Sequence, residues 1–143
     1  MASATRRFRQ QECKTAASRA RYIKPSECAI KYGKELIPFF QNYTGMAQAI
    51  RDLPESPEQR LVKICCMLID LEKGLARRYE SYCPESRAIL MGIWRAMTDD
   101  ARNTLCAAPK CSHALDKLGS APYRGQQNLI EPNMEVMFLL NTD

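Results

Sequence analysis

Residues 56–84 read SPEQRLVKICCMLIDLEKGLARRYESYCP, and they carry the clearest helical pattern of the chain. It begins with a capping box, in which Ser56 and Gln59 each accept a hydrogen bond from the other's backbone N–H, and Pro57 takes the first helical position. Apolar residues then recur at helical spacing and form a wide stripe: Leu61, Val62, Cys65, Cys66, Leu68, Ile69, Leu75 and Tyr79. The pattern predicts a central helix that ends at Cys83-Pro84, because the residue before a proline avoids the helical conformation.

The chain on the N-terminal side of this helix also has helical character. A first helix is predicted over residues 5–22 and is closed by Pro25. A second is predicted from an N-cap at Ser26 to residue 50, with a kink or a break at Pro38 or Gly45.

The C-terminal side predicts a helix over residues 89–97, a restart at Thr98-Asp99-Asp100 that reaches Cys106, and a short helix over residues 112–119. No alternating stretch bounded by hairpin turns indicates a strand. The sequence therefore predicts an all-α, disulfide-braced bundle of four to five helices with an irregular C-terminal tail. Its parts are a basic arm and first helix (residues 1–24), a helical bundle core (25–118) and an apolar-ended tail (119–143).

The composition excludes several classes of function. Of the 143 residues, 45% are hydrophobic and 26% are charged, which is typical of a folded domain, and no apolar run is long enough to span a membrane. His113 is the only histidine, and the chain has no Gly-x-Ser-x-Gly elbow and no phosphate-binding glycine loop. We therefore expect no enzyme, no cofactor and no metal. The remaining enzymatic hypothesis rests on paired carboxylates, Glu80 with Glu85 or Asp99 with Asp100.

The positive charge is concentrated at the N-terminus. The whole chain carries +5, and residues 1–24 alone hold seven Lys and Arg against one Glu. A basic arm of this kind predicts an acidic partner or glycan, the alternative being a solvated helix face. Nucleic acid is not expected, because only Phe8 and Tyr22 could stack on bases. The residues that carry this prediction are Arg6, Arg7, Arg9, Arg19 and Arg21.

The seven cysteines favour disulfides. On antiparallel neighbouring helices, residues mirrored about the connecting loop come within bridging distance, and this pairs Cys28 with Cys83. The adjacent Cys65 and Cys66 point about 100° apart on a helix. One of them is predicted to bridge Cys13 and the other Cys106. Cys111 then remains, either free or joined to a second chain.

Two other uses of the same cysteines are possible. Cys106 and Cys111 could bind zinc together with His113 and one of the vicinal pair, although no Cys-x2-Cys knuckle is present. Cys111 could also act as a catalytic thiol beside His113, but residues two apart on a helix do not face each other.

The compartment is predicted from two features. Asn42-Tyr43-Thr44 is an N-glycosylation acceptor triplet, and together with the cysteines it favours an extracellular protein. Residues 1–10 contain no apolar core of a secretory signal, and their Arg-rich, acid-poor character also resembles a mitochondrial presequence. The mitochondrion is therefore the alternative compartment.

A family resemblance rests on the cysteine order. Over residues 13–111 the run Cys13…Cys28…Lys63-Ile-Cys-Cys…Tyr82-Cys-Pro-Glu…Leu105-Cys106 resembles the insect haemolymph glycoprotein family and related secreted helical arthropod proteins. The resemblance implies a secreted helical protein without established enzymology. The chain departs from that family in its basic start and in its tail.

The leading hypothesis is therefore a non-enzymatic extracellular protein that acts by binding or assembly, with room for an apolar ligand between helices. The alternative is a lineage-specific accessory subunit of a large complex, such as a mitochondrial one. The tail is predicted to dock in a hydrophobic groove, on its own chain or in a homo-oligomer or larger assembly, because its apolar side chains would otherwise stay in water. These side chains are Val136, Met137, Phe138, Leu139 and Leu140.

Overall fold

A computed structural model describes residues 14–106, 111, 112, 114, 115 and 118 of the chain. They form five α-helices: α1 (Ala16–Ala20), α2 (Ile23–Lys31), α3 (Gly33–Arg51), α4 (Pro57–Tyr82) and α5 (Arg87–Thr104). A 3₁₀ turn at Pro84–Ser86 precedes α5. None of these residues belongs to a strand, and three disulfides connect them. The predicted all-α, disulfide-braced class is confirmed.

Helix α4 begins and ends where its sequence predicts. The Ser56 backbone N–H donates to Gln59 Oε1 at 3.1 Å, and the Gln59 N–H donates to Ser56 Oγ at 3.2 Å. The helix ends at Tyr82, before Cys83-Pro84. Four of its apolar side chains are almost completely buried: Met67, Leu68, Leu71 and Leu75. Leu68 and Leu75 belong to the predicted apolar stripe, and Met67 and Leu71 extend it.

The first helix ends close to the predicted Tyr22, but the predicted N-cap at Ser26 is wrong, because α2 begins at Ile23 and contains both Pro25 and Ser26. The chain bends earlier, at Arg21 and Tyr22, between α1 and α2. Helix α1 is capped by Thr15, whose hydroxyl accepts the Ser18 N–H at 3.1 Å. Pro25 lies in the first turn of α2, where a backbone N–H has no partner within the helix, so the proline costs no hydrogen bond.

Of the two outcomes predicted at Pro38 or Gly45, the break is wrong and the kink stays a prediction. Helix α3 runs through both residues, and the interruption falls earlier, at Tyr32 before Gly33. Burial of Phe39, Phe40 and Tyr43, which lie between these two residues, offsets the hydrogen bond that a helical proline removes. Helix α5 likewise continues through Asp99-Asp100 to Thr104 without the predicted restart.

The contacts divide the chain into two compact units. In the part of the chain that the structure describes, the first unit comprises residues 14–32 and 74–99. The second unit comprises residues 33–73, 100–106, 111, 112, 114, 115 and 118. The predicted short helix over residues 112–119 lies partly outside the described residues, and those described there form turns.

The second unit holds the larger apolar core. Helix α3 contributes an aromatic cluster to this core, with the Phe39 ring centroid 5.4 Å from Phe40 and 5.0 Å from Tyr43 in edge-to-face arrangement. The Tyr43 hydroxyl donates to Asp70 Oδ2 of α4 at 2.6 Å. Ion pairs join Lys63 Nζ to Glu55 at 3.0 Å and Arg102 to Glu72 at 2.8 Å.

The first unit has a smaller core with an incompletely covered surface. Leu75, Leu90, Met91 and Trp94 are buried. On α2, by contrast, Ile23 is 56% exposed and Ile30 is 80% exposed, and Met97 on α5 is 38% exposed. No helix in the described part of the chain is both long and apolar enough to cross a membrane.

Candidate functional site

The first disulfide joins Cys28 of α2 to Cys83 at the end of α4, with the two Cα atoms 6.0 Å apart. This pairing was predicted and is confirmed. Next to it the rings of Tyr32 and Tyr82 stack with their centroids 5.0 Å apart, and Lys31 Nζ lies 5.2 Å from the centroid of Tyr32. The bridge and the stacked rings therefore join the C-terminal end of α2 to the C-terminal end of α4.

The vicinal cysteines form the other two bridges. Cys65 bonds Cys106, with Cα atoms 5.4 Å apart, and Cys66 bonds Cys111, with Cα atoms 5.3 Å apart. The prediction that Cys106 pairs with one of Cys65 and Cys66 is confirmed. Two other predictions are wrong: that Cys13 bridges the vicinal pair, and that Cys111 is free or intermolecular.

The correction has a simple physical cause. Cys111 follows the last residue of α5, Thr104, and it bonds to the same stretch of α4 that Cys106 reaches. Both vicinal thiols are then consumed by bonds within the second unit. Cys13 itself lies outside the described residues. It is the one cysteine of the seven that does not belong to these three bridges.

The bridges also decide against the metal and thiol hypotheses. A zinc site needs thiolates, and Cys65, Cys66, Cys106 and Cys111 are all disulfide-bonded. The same bond removes the nucleophile from the hypothetical Cys111–His113 pair. Within the described residues no cluster of three or more His, Cys, Asp or Glu side chains could hold a metal. Three intramolecular disulfides indicate an oxidising environment.

The predicted basic residues fall into two groups. Arg19 and Arg21 lie exposed in the first unit, whereas Arg6, Arg7 and Arg9 lie outside the described residues, as do Val136–Leu140 of the predicted tail interface. The described part of the first unit holds nine Lys and Arg against four Asp and Glu, a formal charge of +5. The described part of the second holds six against seven, a formal charge of −1. Most of this excess lies on residues 14–24, which belong to the predicted basic arm, and the rest of the described first unit is nearly balanced.

A surface groove of about 270 Å³ lies within this basic unit. Arg21 and Tyr22, at the junction of α1 and α2, contribute one part of its lining. The guanidinium carbon of Arg21 lies 5.6 Å from the centroid of the Tyr22 ring, which is a cation–π contact. The junction between α1 and α2 thus places a cation and an aromatic ring at the groove.

Helix α5 contributes the rest of the lining. Ala88, Gly92 and Ala96 recur every four residues and so share one face, and Ile89 and Ile93 lie beside them. A Cβ atom built on Gly92 would meet nothing within 4 Å, so the space above this residue is open. The spacing of the three small residues is visible in the sequence, but it does not by itself predict a groove.

The other predicted site residues have ordinary surroundings. Asn42 is exposed on α3, but Thr44 of the same acceptor triplet is completely buried, and its hydroxyl donates to the Phe40 carbonyl at 3.0 Å. An enzyme acting on the folded chain could not reach Thr44, so a glycan would have to be added before folding. The Glu80 carboxylate lies 3.1 Å from Arg87 Nε, in an exposed ion pair.

Comparison of the chain with protein-family models, with curated proteins and with solved structures finds no match.

Proposed function

We propose that the chain is an extracellular, non-enzymatic, disulfide-braced helical protein that acts by binding, and that its first unit is the binding part. The observation that carries this proposal is the disulfide framework. All six cysteines in the described part of the chain are paired within it. Such bridges persist in oxidising compartments and are rare among cytosolic proteins, which supports secretion. The cysteine-order resemblance to secreted arthropod proteins points to the same compartment.

The partner of the first unit is an acidic molecule. An excess of five positive charges in the described residues of one unit, beside a nearly neutral second unit, creates a local positive potential that attracts anions. Arg19, Arg21 and Lys24 are exposed there. A sulfated glycan and an acidic protein surface both present the required negative charge.

Heparin is a direct probe of this surface. Its affinity for the oxidised full-length chain should fall steeply as salt rises from low to physiological concentration, because the contacts are between exposed charges. The variant Arg19→Glu/Lys24→Glu should bind heparin at least about tenfold more weakly. The matched variant Lys34→Glu/Lys73→Glu makes the same change of charge on exposed residues of the second unit and should retain most of the affinity. Equal losses in both variants, or no heparin binding at low salt, would contradict the proposed binding part.

Assembly through the C-terminal tail is a separate element of the proposal. Sedimentation of the full chain and of a truncation ending at Ala121 tests it, with the full chain expected to sediment as the larger species. Two monomers of equal stability would refute the role of the tail, and a less stable monomeric truncation would show that the tail folds back on its own chain. Native mass of the protein from its source distinguishes a secreted oligomer from an accessory subunit of a large complex.

Glycosylation at Asn42 completes the proposal. Its exposed side chain leaves space for a glycan, while the buried Thr44 requires that the glycan be attached to the unfolded chain. Intact mass of the secreted protein before and after glycosidase treatment should differ by one glycan. An unchanged mass would remove glycosylation from the account without affecting the disulfides.

A further inference from the structure

We infer that the groove beside α5 binds a small amphipathic anion, with an apolar chain along the helix and a carboxylate or similar head group at Arg21. Free fatty acids of medium chain length are the ligand class that fits this description. The inference rests on the proposed function, since it names a ligand for the unit proposed to bind.

The floor of the groove suits a narrow apolar chain. Ala88, Gly92 and Ala96 span two helical turns, or about 12 Å, and none of them carries a side chain beyond Cβ. Ile89 and Ile93 lie beside this track and are only partly buried. A chain lying there would cover apolar surface on both residues, and burial of such surface is the main source of affinity for an apolar ligand.

The size of the groove agrees with a ligand larger than a single ring. At about 270 Å³ it has nearly twice the volume of an apolar cavity of about 150 Å³ that accommodates benzene. A wide aromatic ligand would need lateral space, whereas the row of small residues provides length.

The head group is assigned by charge. Arg21 is the only charged residue among those that line the groove within the described chain, and its guanidinium can bind a carboxylate through two parallel hydrogen bonds. Tyr22 adds a phenolic hydroxyl that can donate to the same group. The +5 charge of the surrounding unit favours an anion over a neutral or cationic ligand of equal length.

A second copy of the chain fits the groove less well. Small residues spaced by four would allow a helix to approach closely, as a neighbouring α5 could. Each copy would, however, bring a unit of charge +5 to the contact, and like charges oppose such an approach.

The test is calorimetric titration of the oxidised full-length chain with dodecanoate, held below the concentration at which it aggregates. Dodecanol and dodecyltrimethylammonium carry the same chain with a neutral and a cationic head group. We expect saturable binding of dodecanoate with one ligand per chain. The other two should bind at least about tenfold more weakly, because they cannot make the charge-assisted hydrogen bonds. Absence of saturable dodecanoate binding, or equal binding of all three, would overturn the inference.

Two matched pairs of variants locate the ligand. Gly92→Leu fills the groove and should abolish dodecanoate binding, whereas Gly33→Leu makes the same change at the other glycine with open space around its Cβ position and should not. Arg21→Gln should weaken dodecanoate at least about tenfold and leave dodecanol unchanged. Arg77→Gln, at an exposed arginine of the first unit that does not line the groove, should change neither. Dodecanoate binding that survives Gly92→Leu would contradict the site.

Two controls separate the possible failures. Near-ultraviolet circular dichroism of Trp94, which is buried on α5, shows whether each variant keeps its fold. If dodecanoate fails to bind while heparin binding and its dependence on the first unit persist, only the groove ligand is wrong. If heparin binding also fails, the proposed function fails with it.

Discussion

The two units of this chain differ in their disulfides, in the burial of their apolar side chains and in their charge. In the second unit, two disulfides, an aromatic cluster on α3 and partly buried ion pairs surround a core of almost fully buried side chains. In the first unit, a single disulfide ties helices that leave Ile23, Ile30 and Met97 exposed and that carry most of the positive charge. The difference indicates that stability resides mainly in the second unit, and that the first presents a chemically distinctive surface.

The basic first unit needs a source of stability besides its small apolar core. Concentrated like charge destabilises a compact state through repulsion, and the first unit has a small core with which to oppose it. The Cys28–Cys83 bridge closes a separation of 55 residues and limits the unfolded ensemble, so the unit does not depend on burial alone.

The largest expected effect is loss of the second unit's bridges. Replacing Cys65, Cys66, Cys106 and Cys111 by Ala should lower the free energy of unfolding by more than about 4 kcal/mol. Because the two loops nearly coincide, the second bridge adds less than the first. Replacing Cys28 and Cys83 by Ala should cost about 4 kcal/mol. Denaturant titration measures both, and a larger loss for the Cys28–Cys83 variant would reverse the comparison.

The next largest effect is expected from truncating apolar side chains, which should cost more unfolding free energy in the second unit than in the first. Leu71 is completely buried in the second unit, so Leu71→Ala should cost about 2–5 kcal/mol through lost burial and a residual cavity. Ile30 is 80% exposed in the first unit, and Ile30→Ala should stay within about 0.5 kcal/mol. The two variants are compared by urea unfolding of the oxidised proteins. A cost above 1 kcal/mol for Ile30→Ala, on the order of a buried site, would show that its face is covered.

The hydrogen bond between α3 and α4 should have a smaller effect. Tyr43→Phe leaves the ring in the aromatic cluster and removes only the hydroxyl that donates to Asp70, which should cost about 1 kcal/mol. A double-mutant cycle with Asp70→Ala isolates the interaction, and the expected coupling is of the same size. Additive losses would mean that the bond contributes nothing to the second unit.

The smallest effect is a dependence on pH in the first unit. Burial raises the pKa of the Tyr79 hydroxyl above its ordinary value of 10.0. The unfolded chain therefore loses this proton at a lower pH than the folded chain does. The stabilisation is complete below pH 10.0 and is lost as pH rises through the raised folded-state pKa. Unfolding free energies measured between about pH 9 and 11 should fall for the native chain and fall less for Tyr79→Phe. Equal slopes would show that Tyr79 does not titrate differently in the two states.

The sequence predicted the features that depend on local chemistry. The capping box of α4 and its end at Cys83-Pro84 follow from side chains within a few residues of each boundary. Predictions that a proline ends or breaks a helix failed where the position of the proline in the helix, or the burial of its neighbours, removes the cost. Pro25 is harmless in a first turn, and Pro38 is held in α3 by the burial of its neighbours. Proline limits which hydrogen bonds can form, but tertiary burial determines whether the loss is tolerated.

Neither the pairing of Cys111 nor the groove could be predicted from local sequence patterns. Mirroring residues about a loop works when both lie on regular helices, as Cys28 and Cys83 nearly do, but Cys111 follows α5 outside a helix. The groove requires the junction at Arg21 and Tyr22 to lie beside α5, and no local pattern encodes that proximity. The positive charge that the composition assigns to the N-terminal residues lies, within the described first unit, mainly on residues 14–24.

The most direct test of the account is differential alkylation of the protein isolated from its natural source, followed by peptide mapping without reduction. The account predicts three linked pairs, Cys28–Cys83, Cys65–Cys106 and Cys66–Cys111, with these six cysteines labelled only after reduction. Labelling of all seven cysteines before reduction would place the protein in a reducing compartment and would contradict an extracellular, disulfide-braced binding protein.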